Sequence, residues 1–176
     1  MKILDCNIPD VKLIKYESFS DERGVFIELF KQNSFKDINL AFIQDNLVFS
    51  KKNVLRGLHY QLTHPQGKLI RVVSGSIRDV AVDIRKHSPT FGHYVLSKLT
   101  GKNKKMLYIP EGFAHGYIVE SDLALVVYQN TEIYDPNDQF GINWQDPELN
   151  IPWGISAPIL SEKDNELPFL KGQKNL

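Results

Sequence analysis

The feature that most constrains this chain is the rhythm of its middle, where short runs rich in valine and isoleucine are each closed by a turn cluster. Runs over 67–73, 77–85, 94–99, 105–109, 114–119 and 124–134 read as strands. Ser88-Pro89, Gly101-Lys102-Asn103, Pro110-Glu111-Gly112 and Asp135-Pro136-Asn137 separate them, and Ser74-Gly75-Ser76 is a hairpin joint. Short strands at this spacing predict an all-β sandwich or barrel such as a jelly roll. Upstream, 11–16 is short and apolar-rich, and 41–49 reads as strand. The run 24–30 alternates, with Val25, Ile27 and Leu29 on one face and Phe26, Glu28 and Phe30 on the other. Ser20 to Gly24 forms a turn in which the glycine supplies positive φ. The spacing predicts one short helix over 34–40, capped by Ser34. Beyond about Gly141 the chain is irregular and proline-rich, as a segment wrapping a barrel would be. No linker or repeat interrupts it, so a single domain over 1–176 is expected.

Composition removes several function classes. With 21 basic and 21 acidic side chains there is no net charge to steer the chain to nucleic acid or a membrane surface. Cys6 is the only cysteine, so no internal disulfide forms and a reducing compartment fits. The opening Met1 to Asp5 lacks an apolar signal region. No run reaches the roughly 20 apolar residues of a spanning helix. The expectation is a soluble, cytoplasmic protein.

Four sets of residues can carry chemistry. The first is Val54-Leu55-Arg56-Gly57-Leu58-His59-Tyr60-Gln61. On a strand, residues two apart share a face, so Gly57, His59 and Gln61 face one way and Leu58 and Tyr60 the other. A histidine beside a glycine suits a strand that a ligand approaches closely, though a half-buried structural histidine has the same local signature. The second set, Pro110-Glu111-Gly112-Phe113-Ala114-His115, resembles the second half of the cupin signature. A cupin usually offers a His-x-His pair upstream; here that stretch is His59-Tyr60-Gln61, and the second histidine is missing. His59 and His115 fall short of the three protein ligands typical of a catalytic metal, so no metal is expected and both imidazoles are free for proton transfer. The third set is Tyr128 and, at its strand's end, Tyr134; a tyrosine donates a proton and stacks on flat rings. The fourth is basic: Arg23, Arg56, Lys68 and Lys163, suited to phosphate but solvated by default. Ser161-Glu162-Lys163-Asp164 adds a carboxylate, by default part of a turn or cap, that could orient His59.

Taken together these stretches resemble the dTDP-4-dehydrorhamnose 3,5-epimerase family, over nearly the whole chain. The likeness rests on Asp21-Glu22-Arg23-Gly24, Gln44-Asp45-Asn46, the 54–61 stretch, Gln66-Gly67-Lys68-Leu69 and the 79–85 stretch. It continues through Ser88-Pro89-Thr90-Phe91-Gly92, the 109–116 stretch and Leu160-Ser161-Glu162-Lys163-Asp164. Each is weak alone; their shared order is specific. The resemblance implies a cupin-like jelly roll, a homodimer and a role in dTDP-L-rhamnose and surface polysaccharide synthesis. It implies His59 as base, Asp164 as its partner and Tyr128 as acid on the opposite face, with Tyr134 stacked on thymine. Arg23, Glu28, Gln44, Asp45, Asn46, Arg56, Lys68, His115, Gln139 and Lys163 would line the nucleotide-sugar site. The chain departs from the family pattern at Gln129, where lysine is common, at Gln139, where glutamate is frequent, and at Tyr60, which replaces a frequent phenylalanine.

The chemistry suits these residue types. In a 4-keto sugar the C–H bonds at C3 and C5 are acidic, because losing either proton gives an enolate conjugated with the C4 carbonyl. Inversion needs a base on one face of the ring and an acid on the other. Histidine titrates near neutrality, and an aspartate can fix its tautomer. Tyrosine, with an unperturbed pKa of about 10, stays protonated as the donor. Lys68 is the candidate cation for the enolate oxygen, by the logic that one good donor is worth about 3 kcal/mol. No nicotinamide or P-loop pattern is present, so no cofactor is expected. Three rival readings remain: an epimerase inverting only C3 or only C5 of a related sugar, a metal-dependent cupin enzyme, and a non-catalytic sugar-binding barrel.

Overall fold

The structure, a computed structural model, describes residues 1–31 and 41–173; the helix expected over 34–40 lies outside the described residues. In chain order the strands are β1 (Lys2–Asp5), β2 (Lys12–Lys15), β3 (Phe19–Asp21), β4 (Gly24–Phe26), β5 (Gln44–Lys51), β6 (Leu55–Gln61), β7 (Lys68–Ser74), β8 (Ser76–Asp83), β9 (Tyr94–Thr100), β10 (Lys105–Ile109), β11 (Phe113–Val119), β12 (Leu123–Asn130) and β13 (Gln139–Gly141). One helical turn, α1 (Glu162–Asn165), and a 3-10 turn at Leu170–Gly172 follow.

The pairing explains the barrel. β5 pairs with β12, β6 with β11, β7 with β10 and β8 with β9, all antiparallel. These are four nested pairs, the outermost strands of 44–130 joined first and last. Rolled up, such a nest deals its members alternately to two sheets, ordered β1-β2-β10-β7-β12-β5 and β13-β6-β11-β8-β9. This is a jelly roll with β1, β2 and β13 added at its margins. β3 and β4 form a separate hairpin.

Period-two alternation then sorts the side chains into layers. Between the sheets lie Ile70, Val72, Ile77, Leu99, Val119 and Val126. Behind the five-stranded sheet, Leu58, Val80, Val82 and Ile118 pack against Ile142, Leu149, Ile151 and Trp153, so the C-terminal segment does wrap the barrel. Behind the six-stranded sheet, Ile14, Leu69 and Met106 are covered by Ile27, Leu29, Phe30 and Phe42. Each such fully buried aliphatic side chain contributes about 1.5–3 kcal/mol.

Two expectations are corrected here. The strand expected over 24–30 ends at Phe26, because Ile27, Leu29 and Phe30 turn onto the outer face of the sheet instead of pairing. The strand expected over 124–134 ends at Asn130. Beyond it, Gln61 holds the loop: its Nε2 donates to the carbonyls of His64 and Ile133, and its Oε1 accepts from the Asp135 N–H. β1 and β13 were not foreseen; each is a short marginal strand without a clear alternating run. No helix among the described residues is long and apolar enough to cross a membrane.

Candidate active site

The interior of the barrel changes character along the strand axis. In β12, Ala124 and Val126 belong to the apolar core, whereas Tyr128 and Asn130, next on the same face, line a cavity of about 490 Å³. In β7 the order is reversed along the chain, with Lys68 in the cavity and Ile70 and Val72 in the core. The same end of β11 presents His115 and Tyr117, and β6 presents His59 and Arg56. Hydrophobic residues thus close one end of the roll and polar ones open the other.

A bulge in β6 decides which side chains meet. Strict alternation would put Arg56 on the face opposite His59. Instead His115 is opposite His59 while Tyr117 is opposite Arg56, so four residues of β6 span three of β11. The slack is taken up at Gly57, whose φ is +106° and whose absent Cβ would lie 2.5 Å from the His115 carbonyl oxygen. Only glycine fits there. As a result Arg56 and His59 face the cavity together. Arg56 Nε donates to Ser50 Oγ at 3.1 Å.

The two imidazoles are each held by a separate carboxylate. His59 Nε2 and Asp164 Oδ1 are 2.5 Å apart. Asp164 is presented by α1, whose cap Ser161 accepts the Asp164 N–H on its Oγ at 3.1 Å. Burial pushes the Asp164 carboxyl up, but hydrogen bonds and charge from His59, with bonds from Ser161 and the Gly57 N–H, outweigh it and leave it below the usual carboxylate value. Asp164 is therefore ionised at neutral pH. His115 Nε2 lies 3.0 Å from Asp79 Oδ2. Among the described residues no group of three or more histidine, cysteine or acidic side chains converges.

Across from the imidazoles the other sheet brings Tyr128, Lys68, Gln44 and Asn46 to the cavity. Burial raises the Tyr128 phenol above its ordinary pKa, partly offset by Arg56 and reinforced by Tyr134, so it stays protonated. Burial draws the Lys68 ammonium down to about 8, with the Asp79 charge pulling the other way. At the mouth, Tyr134 is 43% exposed as a residue and lines the cavity, where its ring can meet a flat ligand. Its hydroxyl donates to Gln139 Oε1 and its backbone N–H to Gln44 Oε1, each at 2.7 Å. Lys163 also reaches the cavity wall.

The cavity thus gathers His59, Tyr128, Asp164, Gln44, Asn46, Arg56, Lys68, His115, Tyr134, Gln139 and Lys163. It does not include Arg23, Glu28 or Asp45. Asp45 points out because it alternates with Gln44 and Asn46 on β5. Arg23 sits in the exposed β3–β4 turn, paired with Asp21 at 2.6 Å, and Glu28 is exposed on the stretch that follows. Residues not singled out in the sequence also line the cavity, chiefly Tyr117 and Asn130. Each stands two places beyond a named residue on the same strand, so the face rule alone would have found them. The buried Asp79 is foreshadowed too, as a charge on the inward face of a valine-rich strand.

What the site lacks is equally telling. Asn46 Nδ2 and Asn130 Oδ1, on two cavity-lining residues, are buried with no hydrogen-bond partner. Buried polar groups are normally satisfied, and two idle ones on the wall of one cavity suit a polar ligand.

Comparison with known proteins agrees with this geometry. A family model described as dTDP-4-dehydrorhamnose 3,5-epimerase matches residues 5–172. A dTDP-4-dehydrorhamnose 3,5-epimerase of Shigella flexneri is 48% identical over 178 residues, covering 99% of this chain and 96% of that protein. The crystal structure of dTDP-6-deoxy-D-glucose-3,5-epimerase of Legionella pneumophila in complex with dTDP-4-keto-L-rhamnose superposes with a TM-score of 0.94 at 42% identity, covering 97% of this chain and 93% of that one. The Bacillus anthracis dTDP-4-dehydrorhamnose 3,5-epimerase, with TDP and PPi bound, gives a TM-score of 0.92 at 39% identity over 96% and 98% of the two chains.

Proposed function

This chain belongs to the dTDP-4-dehydrorhamnose 3,5-epimerase family, and from that premise we propose that it inverts C3 and C5 of dTDP-4-keto-6-deoxy-D-glucose, giving dTDP-4-keto-L-rhamnose, with His59 as base and Tyr128 as acid. The observation that carries the assignment of roles is that the imidazole and the phenol enter one cavity from opposite sheets. Packed sheets are about 10 Å apart, which leaves room for a pyranose between the two groups.

The steps balance without an added reactant. With Nε2 of His59 bound to ionised Asp164, the other ring nitrogen takes the proton from C3 or C5. The bonding pair moves into the ring and the C4 oxygen gains charge. Lys68, protonated below about pH 8, meets that oxygen. Tyr128 returns a proton to the opposite face of the same carbon, and the phenolate and imidazolium then exchange protons with solvent. Arg56 and Lys163 supply charge for the diphosphate, and Tyr134 offers its ring to the base. The product would serve dTDP-L-rhamnose and surface polysaccharide synthesis, in the reducing cytoplasm that suits the free Cys6.

The active form is a homodimer on this reading. Phe19, Val25 and Phe26 on the lone β3–β4 hairpin are 62%, 63% and 68% exposed. Leu47 and Phe49 on the edge strand β5 are 58% and 63% exposed. An apolar hairpin and an apolar, unpaired edge are mutual partners when two copies meet. Such docking would carry Arg23 and Glu28 to the cavity of the second copy.

Turnover of dTDP-4-keto-6-deoxy-D-glucose in D2O, read by proton NMR of the product, tests the reaction. Deuterium at both C3 and C5 with inverted configuration is expected. Label at one carbon alone would make the chain a single-site epimerase, and no label at all would leave it a binding protein.

A further inference from the structure

Behind the His115 ring lies a carboxylate for which the proton transfers above have no use. Asp79 is in β8, opposite Tyr117 of β11, and is 0% exposed. Its Oδ2 lies 3.0 Å from His115 Nε2, while its Oδ1 is buried without a hydrogen-bond partner. The charged and titratable groups that act on it are His115 from β11 and Lys68 from β7 on the opposite sheet, and it acts in turn on Tyr117 of β11, which Arg56 of β6 also influences. Lys68 is itself only 8% exposed and lines the cavity.

A sealed carboxylate that satisfies one oxygen is a poor way to hold a barrel together. Burying an ion is costly, and apolar packing serves stability as well. The arrangement makes sense if the charge acts on the two cavity-lining groups in front of it. We propose that Asp79 is a positioning residue, fixing His115 with its proton on Nε2 and serving as the internal counter-charge that keeps the Lys68 ammonium ready for the substrate oxygen. Burial pushes the Asp79 carboxyl above its ordinary value, while the charge and hydrogen bond of His115 and the charge of Lys68 draw it back down; in its ionised form it accepts from His115 Nε2, which leaves the other ring nitrogen for the cavity. The same charge acts on Lys68 across the barrel and offsets part of the penalty of its burial. What Lys68 is kept charged for rests on the epimerase reading; the coupling between the groups does not.

The test separates the two. In protein labelled with 13C-lysine, the Lys68 resonance is identified by its loss in Lys68→Arg and titrated in wild type and in Asp79→Asn. The account expects the Lys68 midpoint to fall by about one pH unit in Asp79→Asn, a tenfold change in its protonation constant. The alkaline limb of the kcat/KM profile should move to lower pH with it, which a merely structural loss would not cause. In the wild-type protein, long-range 15N–1H spectra should show His115 as the Nε2–H tautomer, a reading that needs no variant to fold. An unmoved Lys68 midpoint, or His115 carrying its proton on Nδ1, overturns the proposal. Neither result depends on turnover, so failure of the epimerase reading would show separately, in the D2O experiment.

Discussion

At the scale of single residues, the chemistry turns on two groups held in complementary states. Asp164 is ionised beside His59, and Tyr128 is held protonated by burial. Tyr128→Phe should therefore leave proton removal largely intact while blocking its return to the far face. The measurement is deuterium incorporation against inversion in D2O: exchange with retained configuration is expected, and full inversion at both carbons would show another acid. His59 and Asp164 were legible in the sequence because the resemblance rests on the stretches around them; Tyr128 stood out as a tyrosine on a strand, and its role came only as what the resemblance implies. Asp79 was legible only as a charge on an inward face. Its importance lies in meeting His115, and that meeting depends on pairing between strands far apart in sequence. The alternation of Asp79, Ala81 and Asp83 on one face was visible, but a charge inside a barrel acquires a role only from what it meets there.

At the scale of elements, the decisive feature is the bulge at Gly57, because it puts Arg56 and His59 on one face. A methyl at this position collides with the His115 carbonyl oxygen at 2.5 Å and is strained at φ +106°. Gly57→Ala should cost about 1–3 kcal/mol in a urea titration, with activity falling further than stability because Arg56 and His59 no longer converge. Unchanged activity in that variant would contradict the role of the bulge. The end of β8 carries a second element-level device. Asp83 is 0% exposed in its side chain and binds Arg85 at 2.7 Å and the hydroxyls of Ser88 and Thr90 at 2.6 Å each. Burial raises its pKa, but these bonds outweigh that and hold it far below the usual value. A depressed folded pKa means that the unfolded chain binds more protons in acid, so this stabilisation is complete above about pH 4 and lost as pH falls below it. The urea midpoints of wild type and Asp83→Asn should accordingly differ by a constant amount above about pH 4 and draw together progressively as pH falls below it; a gap that stays constant in acid would refute the linkage. Most strands were legible from their valine-rich runs, whereas the bulge was not, since nothing in Arg56-Gly57-Leu58 alone says where an extra residue goes. The stretch 27–30 misled because its alternation is real but serves packing over a sheet, not pairing within one.

At the scale of the whole molecule, the nested pairing β5:β12, β6:β11, β7:β10 and β8:β9 sends alternate strands to opposite sheets. That winding, which turn clusters and strand lengths suggest without ordering, is what sets His59 and Tyr128 against each other. The exposed β5 edge and the β3–β4 hairpin bear on assembly. Leu47→Asp, at a residue 58% exposed, should leave the fold intact yet convert a dimer to a monomer in sedimentation. Activity should fall with it if Arg23 and Glu28 act in the second copy; a fully active monomer would contradict that. The claim beneath all of this is that one imidazole removes the sugar protons from its own side of the barrel. His59→Ala, incubated with dTDP-4-keto-6-deoxy-D-glucose in D2O and followed by proton NMR, measures that step directly. The account predicts that the C3 and C5 proton signals persist at the rate of the uncatalysed control, and loss of those signals at the wild-type rate would contradict it.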